Sequence, residues 1–346
     1  MPAINPYDLQ LLKNQAAINR LILSQYEGAI ISLSPVINTV KFKGGLFKLS
    51  DYPLLKKRVD AAVSKLHNQV YGAVVNGIKD CWQLSNRKNN VLVDKRLSGK
   101  YIPVRVRQSL YDPNLQALNA FIRRKENGID LSRRVWNLLD PFKVEIEQTL
   151  GMGLSKGQSA KEMAKELTKN LKEPDRLFRR VRSEEGKLTL SSSARNYHPG
   201  QGVYRSSYKN ALRLSRTETN NAYRDSDHHR WQTLPFVTGI RVCLSNAHPK
   251  YDICDHLAGV YPKDFKFKGW HTQCICFATP EMMSDEEYDK IEDQLLSGET
   301  ITVSTKSLTI QPPAAFGKYL KENAEMLSRL KNEPYWMLDN PQYIGK

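Results

Sequence analysis

The sequence predicts an α+β protein that is mainly α-helical, with long helices and a small, Cys/His-rich, β-containing domain clipped together by a metal ion. Apolar residues recur at helical spacing through most of the chain. Strand-like alternation occurs at 240–244 and in the segment CICFAT. These two segments lie at the ends of the stretch Cys243–Cys276. The stretch holds four of the five cysteines and three of the seven histidines.

The amino-acid composition and net charge predict a folded, basic protein. Hydrophobic residues make up 40% of the chain, which suffices for a core. Lys and Arg number 52 against 36 Asp and Glu, for a net charge of +16. A charge of this size favours a polyanionic partner, and nucleic acid is the leading one. The alternative is a charge that only keeps the protein soluble.

The sequence does not predict a signal peptide or a membrane span. The N-terminus MPAINPYDLQLLKNQ lacks a basic region followed by an apolar core, so we expect no signal peptide. No apolar run approaches about 18 residues, so we expect no membrane span. Five cysteines, an odd number, fit a reduced cytoplasmic setting with free or metal-bound thiols better than a disulfide framework.

Two helices open the chain. The first is predicted over 8–34 and ends at Pro35, which cannot continue it. The second begins near Pro53 and has one apolar stripe to about Trp82. A basic loop with a short strand is predicted over 87–107.

Helical patterns return in the middle and at the end of the chain. They are predicted over 114–125, 131–139, 141–154, 159–171, 206–233, 280–296 and 312–330. Ser159 and Glu162 have the spacing of a capping box, and so do Ser284 and Glu287.

A second basic zone spans residues 172–216. It indicates a nucleic-acid or nucleoprotein role, because the charge is clustered there. The candidate nucleic-acid-binding residues are Arg176, Arg179, Arg180, Arg182, Lys209 and Arg213.

The Cys/His stretch indicates a transition-metal site, most simply zinc. Cys254, His271 and Cys274 are the first three ligands, and either His248 or Cys276 completes the set. Four protein ligands close the coordination shell, which is typical of a structural site. The alternative is a set of reduced core cysteines and hydrogen-bonded histidines.

Most common enzymatic motifs are absent from the sequence. It has no HExxH, Walker A or GxGxxG pattern and no zinc-deaminase signature. We therefore predict no catalytic residues. The alternative function is a metal-dependent nuclease or toxin-like enzyme acting on nucleic acid, with His228, His229 and His256 as candidate bases.

Two blocks of sequence carry a resemblance to a known family. The first is LSRTETNNAYR at 214–224, and the second is the pair ICDHLAG at 253–259 and GWHTQCIC at 269–276. In their order and separation, these blocks resemble the motifs of the phage Mu F-like head morphogenesis proteins, which are minor capsid proteins of tailed phages. Tyr251 stands where many relatives have a cysteine, and Thr272 and Ile275 also depart from the pattern.

The resemblance implies a three-part division: an N-terminal helical region with a basic loop at 1–140, a Mu F-like domain at 141–280, and a C-terminal helical extension at 281–346. It implies a minor virion component that assembles in the host cytoplasm and lies inside the capsid near the portal. Its expected partners are the portal protein, capsid or scaffold proteins, and DNA. No reaction is implied, and the zinc would fasten the small domain.

Overall fold

Helices dominate the computed structural model, which describes residues 5–174, 180–182, 185–190, 204–245, 251–304, 306–330 and 332–345. The structure is 65% helical with a small antiparallel sheet, which confirms the predicted fold class. The helices are α1 Pro6–Ile37, α2 Pro53–Leu97, α3 Val104–Leu110, α4 Leu115–Arg123, α5 Leu131–Leu139, α6 Pro141–Ser155, α7 Ala160–Lys172, α8 Ser207–Thr233, α9 Ile253–Leu257, α10 Asp285–Ser297, α11 Ala314–Glu322, α12 Ala324–Ser328 and α13 Tyr335–Leu338.

The strands form two separate antiparallel arrangements. β1 Arg180–Arg182 pairs with β2 Leu188–Leu190. The larger sheet has the order β4-β3-β5, built from β3 Val237–Cys243, β4 Gly259–Pro262 and β5 Phe277–Met282. In this sheet Cys243 pairs with Phe277, so the end of β3 lies beside the residue that follows Cys276.

The first two helices are longer than the sequence patterns predicted. Pro35 does not end α1, which continues to Ile37; buried Leu33 and Ile37 stabilise the last turn although the proline lacks a donor. The basic loop with a short strand predicted over 87–107 is wrong over most of its length, because α2 continues to Leu97 and α3 begins at Val104. This half of α2 contains no proline or glycine and buries Val93 and Leu97, and the helix ends just before Gly99, whose φ is +75°.

The C-terminal region differs in three boundaries. β5 begins at Phe277, so the two cysteines of CICFAT precede the strand. Pro280 lies within β5, an edge strand that tolerates a missing donor, and the next helix begins at Asp285 behind the Ser284–Glu287 capping box. The helix predicted over 312–330 is divided into α11 and α12 at Asn323.

The chain forms two compact units, each assembled from distant stretches of sequence. The first comprises residues 1–12, 78–123 and 217–346, and the second comprises 13–77 and 124–216. This division follows spatial contacts, whereas the division at 140 and 280 follows sequence and stays a prediction.

Each unit has its own core. In the first, the sheet packs with aromatic side chains: the ring centroids of Tyr261 and Phe265 are 4.4 Å apart, and those of Trp270 and Trp336 are 5.8 Å apart. In the second, Tyr26 contacts Phe142, with ring centroids 5.1 Å apart. None of the helices in the described part of the chain has both the length and the apolar character needed to cross a membrane.

Candidate metal centre

The first donor of the site is fixed by a short helix. Cys254 is the second residue of α9, and its backbone N–H donates to Oδ1 of the N-cap Asp252, 2.7 Å away. Asp255 completes a capping box by accepting from the backbone N–H of Asp252. These local bonds hold the start of α9, so the buried Cys254 thiol has a defined position.

The next donors lie on a tight turn. The backbone N–H of Cys274 donates to the carbonyl of His271 at 3.1 Å, and Gln273 between them has a positive φ of 61°. Gly269, which precedes the turn, has φ +122°. A Cβ atom there would lie 2.8 Å from both Arg224 Nη1 and Cys274 Cβ, so only glycine fits without a shift.

Three of the predicted ligands converge. Cys254 Sγ lies 3.3 Å from His271 Nε2 and 3.7 Å from Cys274 Sγ, and one donor atom from each residue falls within 4.8 Å of the others. His271 Nδ1 lies 2.9 Å from the carbonyl of Thr272. A proton on Nδ1 satisfies that contact and leaves the lone pair of Nε2 facing the thiols. This cluster can hold a metal ion.

Cys276 joins the cluster as a third thiol. It is fully buried, and its thiol interacts electrostatically with those of Cys254 and Cys274. Interactions with the Cys254 and Cys276 thiols lower the pKa of Cys274, and the nearby Arg224 guanidinium lowers it further. The thiolate is the form of cysteine that binds metals.

Arg224 connects the two sequence blocks. From α8 its Nη1 donates to the carbonyl of Lys268 at 2.5 Å, and its Nη2 donates to the carbonyls of Cys274 and Cys276 at 2.7 and 2.5 Å. The guanidinium thus holds the backbone on both sides of the His271–Cys274 turn. Arg224 is the last residue of the first block, 214–224, but the sequence alone indicated no role for it.

Two further residues support His271 from outside the cluster. The Tyr335 hydroxyl, at the start of α13, donates to the His271 carbonyl at 2.7 Å. Asp252 Oδ2 lies 3.5 Å from His271 Nε2. Neither residue stood out in the sequence, although the Asp252–Asp255 spacing of a capping box was visible there.

Several predicted site residues are not located by the structure. His248, Arg176 and Arg179 lie outside the described residues, and so does the side chain of Arg180. Arg182 donates to the carbonyl of Gly186 at 2.9 Å, while Lys209 and Arg213 lie on α8. The nucleic-acid role of this set stays a prediction.

The histidines named for the nuclease alternative are separated from the thiols. The His256 ring contacts Tyr251 and Tyr319, with centroids 4.9 and 5.9 Å apart. Burial lowers the pKa of His228 to about 4, and its ring lies against that of His229. The described residues outside the Cys254 cluster contain no further group of three metal-binding side chains.

Comparisons with known proteins leave the family open. No protein-family model matches the chain, and neither a curated protein nor a solved structure matches it.

Proposed function

We propose that the protein is a minor capsid, head morphogenesis protein of a tailed phage or prophage, associated with the portal and in contact with packaged DNA. The observation that carries the proposal is the contact between the two blocks that resemble the Mu F-like family. Arg224 of the first block donates to the carbonyls of Cys274 and Cys276 in the second. Blocks that are 50 residues apart in the chain thus form one site, as expected of a shared domain.

The metal in this proposal is zinc, bound by Cys254, His271, Cys274 and Cys276. Tetrahedral zinc with Zn–S bonds of about 2.3 Å would place two thiolates about 3.8 Å apart and a thiolate about 3.5 Å from an imidazole nitrogen. The corresponding distances are 3.7 and 3.3 Å. Three thiols and one imidazole are a common structural zinc set, and they leave no ligand position for activated water.

The role of the zinc is to fasten the loops around the small sheet. Cys254 lies on α9 between β3 and β4, whereas Cys274 and Cys276 lie just before β5. Binding one ion to both segments converts metal-binding energy into folding energy. His248 stays the alternative fourth ligand, because it lies outside the described residues.

The metal assignment can be tested by elemental analysis of the full chain purified without chelator. We expect about one zinc ion per chain. Cys276→Ser should reduce the bound zinc, whereas His248→Ala should leave it unchanged. A zinc content far below stoichiometric would contradict the metal centre, and the opposite pattern in the variants would make His248 the fourth ligand.

The virion role requires a separate test. The protein should co-purify with the portal protein encoded by the same phage or prophage and should be present in purified heads at low copy number. Mass spectrometry of heads and an affinity purification with tagged portal protein measure both. Absence from heads together with no portal binding would contradict the proposal, whatever the metal content.

A further inference from the structure

Nearly all of the net charge belongs to one compact unit. The second unit, residues 13–77 and 124–216, holds 29 of the 52 Lys and Arg residues and 14 of the 36 Asp and Glu residues, so its net charge is +15. The first unit holds the other 23 basic and 22 acidic residues, for a net charge of +1. A polyanion is therefore attracted mainly to the second unit.

An aromatic cleft lies on this basic unit. Its volume is about 340 Å³, and it is lined by His67, Asp130, Ser132, Arg133 and Trp136. The Trp136 indole is half-buried, and the His67 ring packs edge-on against it with centroids 5.4 Å apart. His67 Nε2 is in turn 3.0 Å from the Ser132 carbonyl. These contacts fix the indole while the cleft leaves part of it accessible.

One cation lies against the indole. Lys143 Nζ is 5.6 Å from the centre of the Trp136 ring, 3.0 Å from Asp60 and 3.6 Å from Asp140. Arg133 is exposed, and it lies three residues before Trp136 on α5, on the same side of the helix.

The one carboxylate that lines the cleft is already engaged. Asp130 caps α5 by accepting from the backbone N–H of Arg133 at 2.7 Å. The positive end of the helix dipole offsets its charge. The cleft therefore combines a fixed aromatic ring, two basic side chains (the ion-paired Lys143 and the exposed Arg133), and hydrogen-bonding groups at Asp130 and Ser132.

We propose that this cleft is a binding site for one unpaired base of single-stranded nucleic acid. The base stacks on Trp136, Arg133 and Lys143 contact the flanking phosphates, and Asp130 or Ser132 bonds to the edge of the base. Stacking on protein aromatics and cationic tracking of the backbone are the two elements of single-strand binding. A duplex keeps its bases stacked inside, so it can use the cations of this site but not the indole.

The proposal deepens the nucleic-acid part of the proposed function and is independent of the metal centre and of portal binding. It also rests on residues of α2, α5 and α6, which the charge clustering in the sequence did not select.

Fluorescence anisotropy of the full chain with a labelled 20-nucleotide oligo-dT tests the site. Trp136→Leu should weaken binding by about 5- to 100-fold, because a base–aromatic stack contributes about 1–3 kcal/mol. Trp136→Phe should recover much of the affinity. Arg133→Gln with Lys143→Gln should lower the slope of log K against log salt by about 1 to 2.

Two controls separate the cleft from general charge. Lys161→Gln removes an exposed lysine of the same unit that does not line the cleft, and Lys318→Gln removes one from the first unit. We expect each to weaken binding less than twofold. Equal binding by Trp136→Leu and the parent, no binding of oligo-dT, or tighter binding of a 20-base-pair duplex would overturn the proposal. Oligo-dT binding by a chain that is absent from virions would overturn the proposed function and leave the cleft intact.

Discussion

The two units use their charged residues in opposite ways. In the first unit, basic and acidic residues are nearly equal in number, and many of them are paired inside the fold. Lys88 binds Asp227 at 2.5 Å, Lys268 binds Asp339 at 2.7 Å, and Arg224 binds three carbonyls. In the second unit, basic residues outnumber acidic ones about two to one, so the unit as a whole carries a large positive charge.

This difference separates charged residues that stabilise the fold, as in the first unit, from an excess of basic residues that can attract a ligand, as in the second. Buried ions must be paired or hydrogen-bonded, because desolvation of an isolated charge costs several kcal/mol. Exposed, uncompensated cations cost little in water and raise the local concentration of a polyanion. Within the basic stretch at 87–107, Lys88, Arg96 and Lys100 pair with acids of their own unit, and the Lys88–Asp227 pair is the buried one.

Loss of the proposed zinc ion should have the largest effect, and it should be confined to the first unit. Binding of a structural zinc contributes on the order of 10 kcal/mol to folding. We expect Cys274→Ser, or chelation of the parent, to abolish hydrogen-exchange protection around β3–β5 while peptides of the second unit keep theirs. Cys243→Ser, which changes a partly exposed cysteine of the same sheet, is the matched control. Equal loss of protection in both units would contradict the comparison.

Breaking the buried Lys88–Asp227 pair should be the next largest effect. Asp227 also accepts from Ser85 Oγ at 2.7 Å and from Asn89 Nδ2 at 2.8 Å, so Lys88→Met leaves a buried, hydrogen-bonded but unpaired charge. We expect the free energy of unfolding to fall by about 3–5 kcal/mol.

The double variant Lys88→Met with Asp227→Asn removes both charges and should recover much of the lost stability. Urea denaturation of the single and double variants measures this coupling. A double variant less stable than Lys88→Met would show that the pairing is not the cause.

In the second unit, one buried acid should make stability depend on pH. Glu145 accepts from the backbone N–H and the hydroxyl of Ser207, both at 2.7 Å, and burial raises its pKa to about 7. Because the folded-state pKa lies above the unfolded value of about 4.3, the folded state binds the proton more tightly. Stability is therefore full at low pH and decreases as pH rises from about 4 through 7, by roughly 3 kcal/mol in all.

Glu145→Gln should remove this dependence and be the more stable protein at pH 8. Denaturation of the parent and the variant at pH 5 and pH 8 measures it. Glu147→Gln is the control, since Glu147 is only half-buried and accepts from the backbone N–H of Leu49. A decrease with pH that persists in Glu145→Gln would assign the effect to another group.

The smallest expected effect concerns the residue that positions the metal ligands. Lys at position 224 cannot reach three carbonyls from one planar group, so Arg224→Lys should weaken zinc binding by about 10- to 100-fold without removing a ligand. Competition with a chromophoric chelator measures the affinity. Arg241→Lys, an exposed arginine paired with Glu281 at 2.5 Å, is the control and should leave it unchanged. An unaltered affinity in Arg224→Lys would restrict that residue to a packing role.

Local signals in the sequence were predictive, whereas interactions across the chain were not. The capping boxes at Ser159 and Ser284 were confirmed because their partners are three residues apart. The helix boundary at Pro35 and the basic loop at 87–97 were wrong because burial of Leu33, Val93 and Leu97 outweighs local preference.

The candidate site shows the same contrast between residues that are close in the sequence and residues that are distant in it. Cys254, His271 and Cys274 could be grouped by density in the sequence, and the structure brings them together. Arg224 could not be assigned a role, because its carbonyl partners are 44 to 52 residues away. The concentration of charge in one unit was hidden too, since that unit combines two separate stretches of sequence.

The spacing of the donors has a consequence for the order of folding. Cys254 and His271 are 17 residues apart, whereas Arg224 and Cys274 are 50 apart. A shorter loop costs less chain entropy to close, and loops of this kind close in well under a microsecond. We therefore expect a bound metal ion to close the Cys254–His271 loop first. Arg224 would then bind the His271–Cys274 turn after that turn has formed.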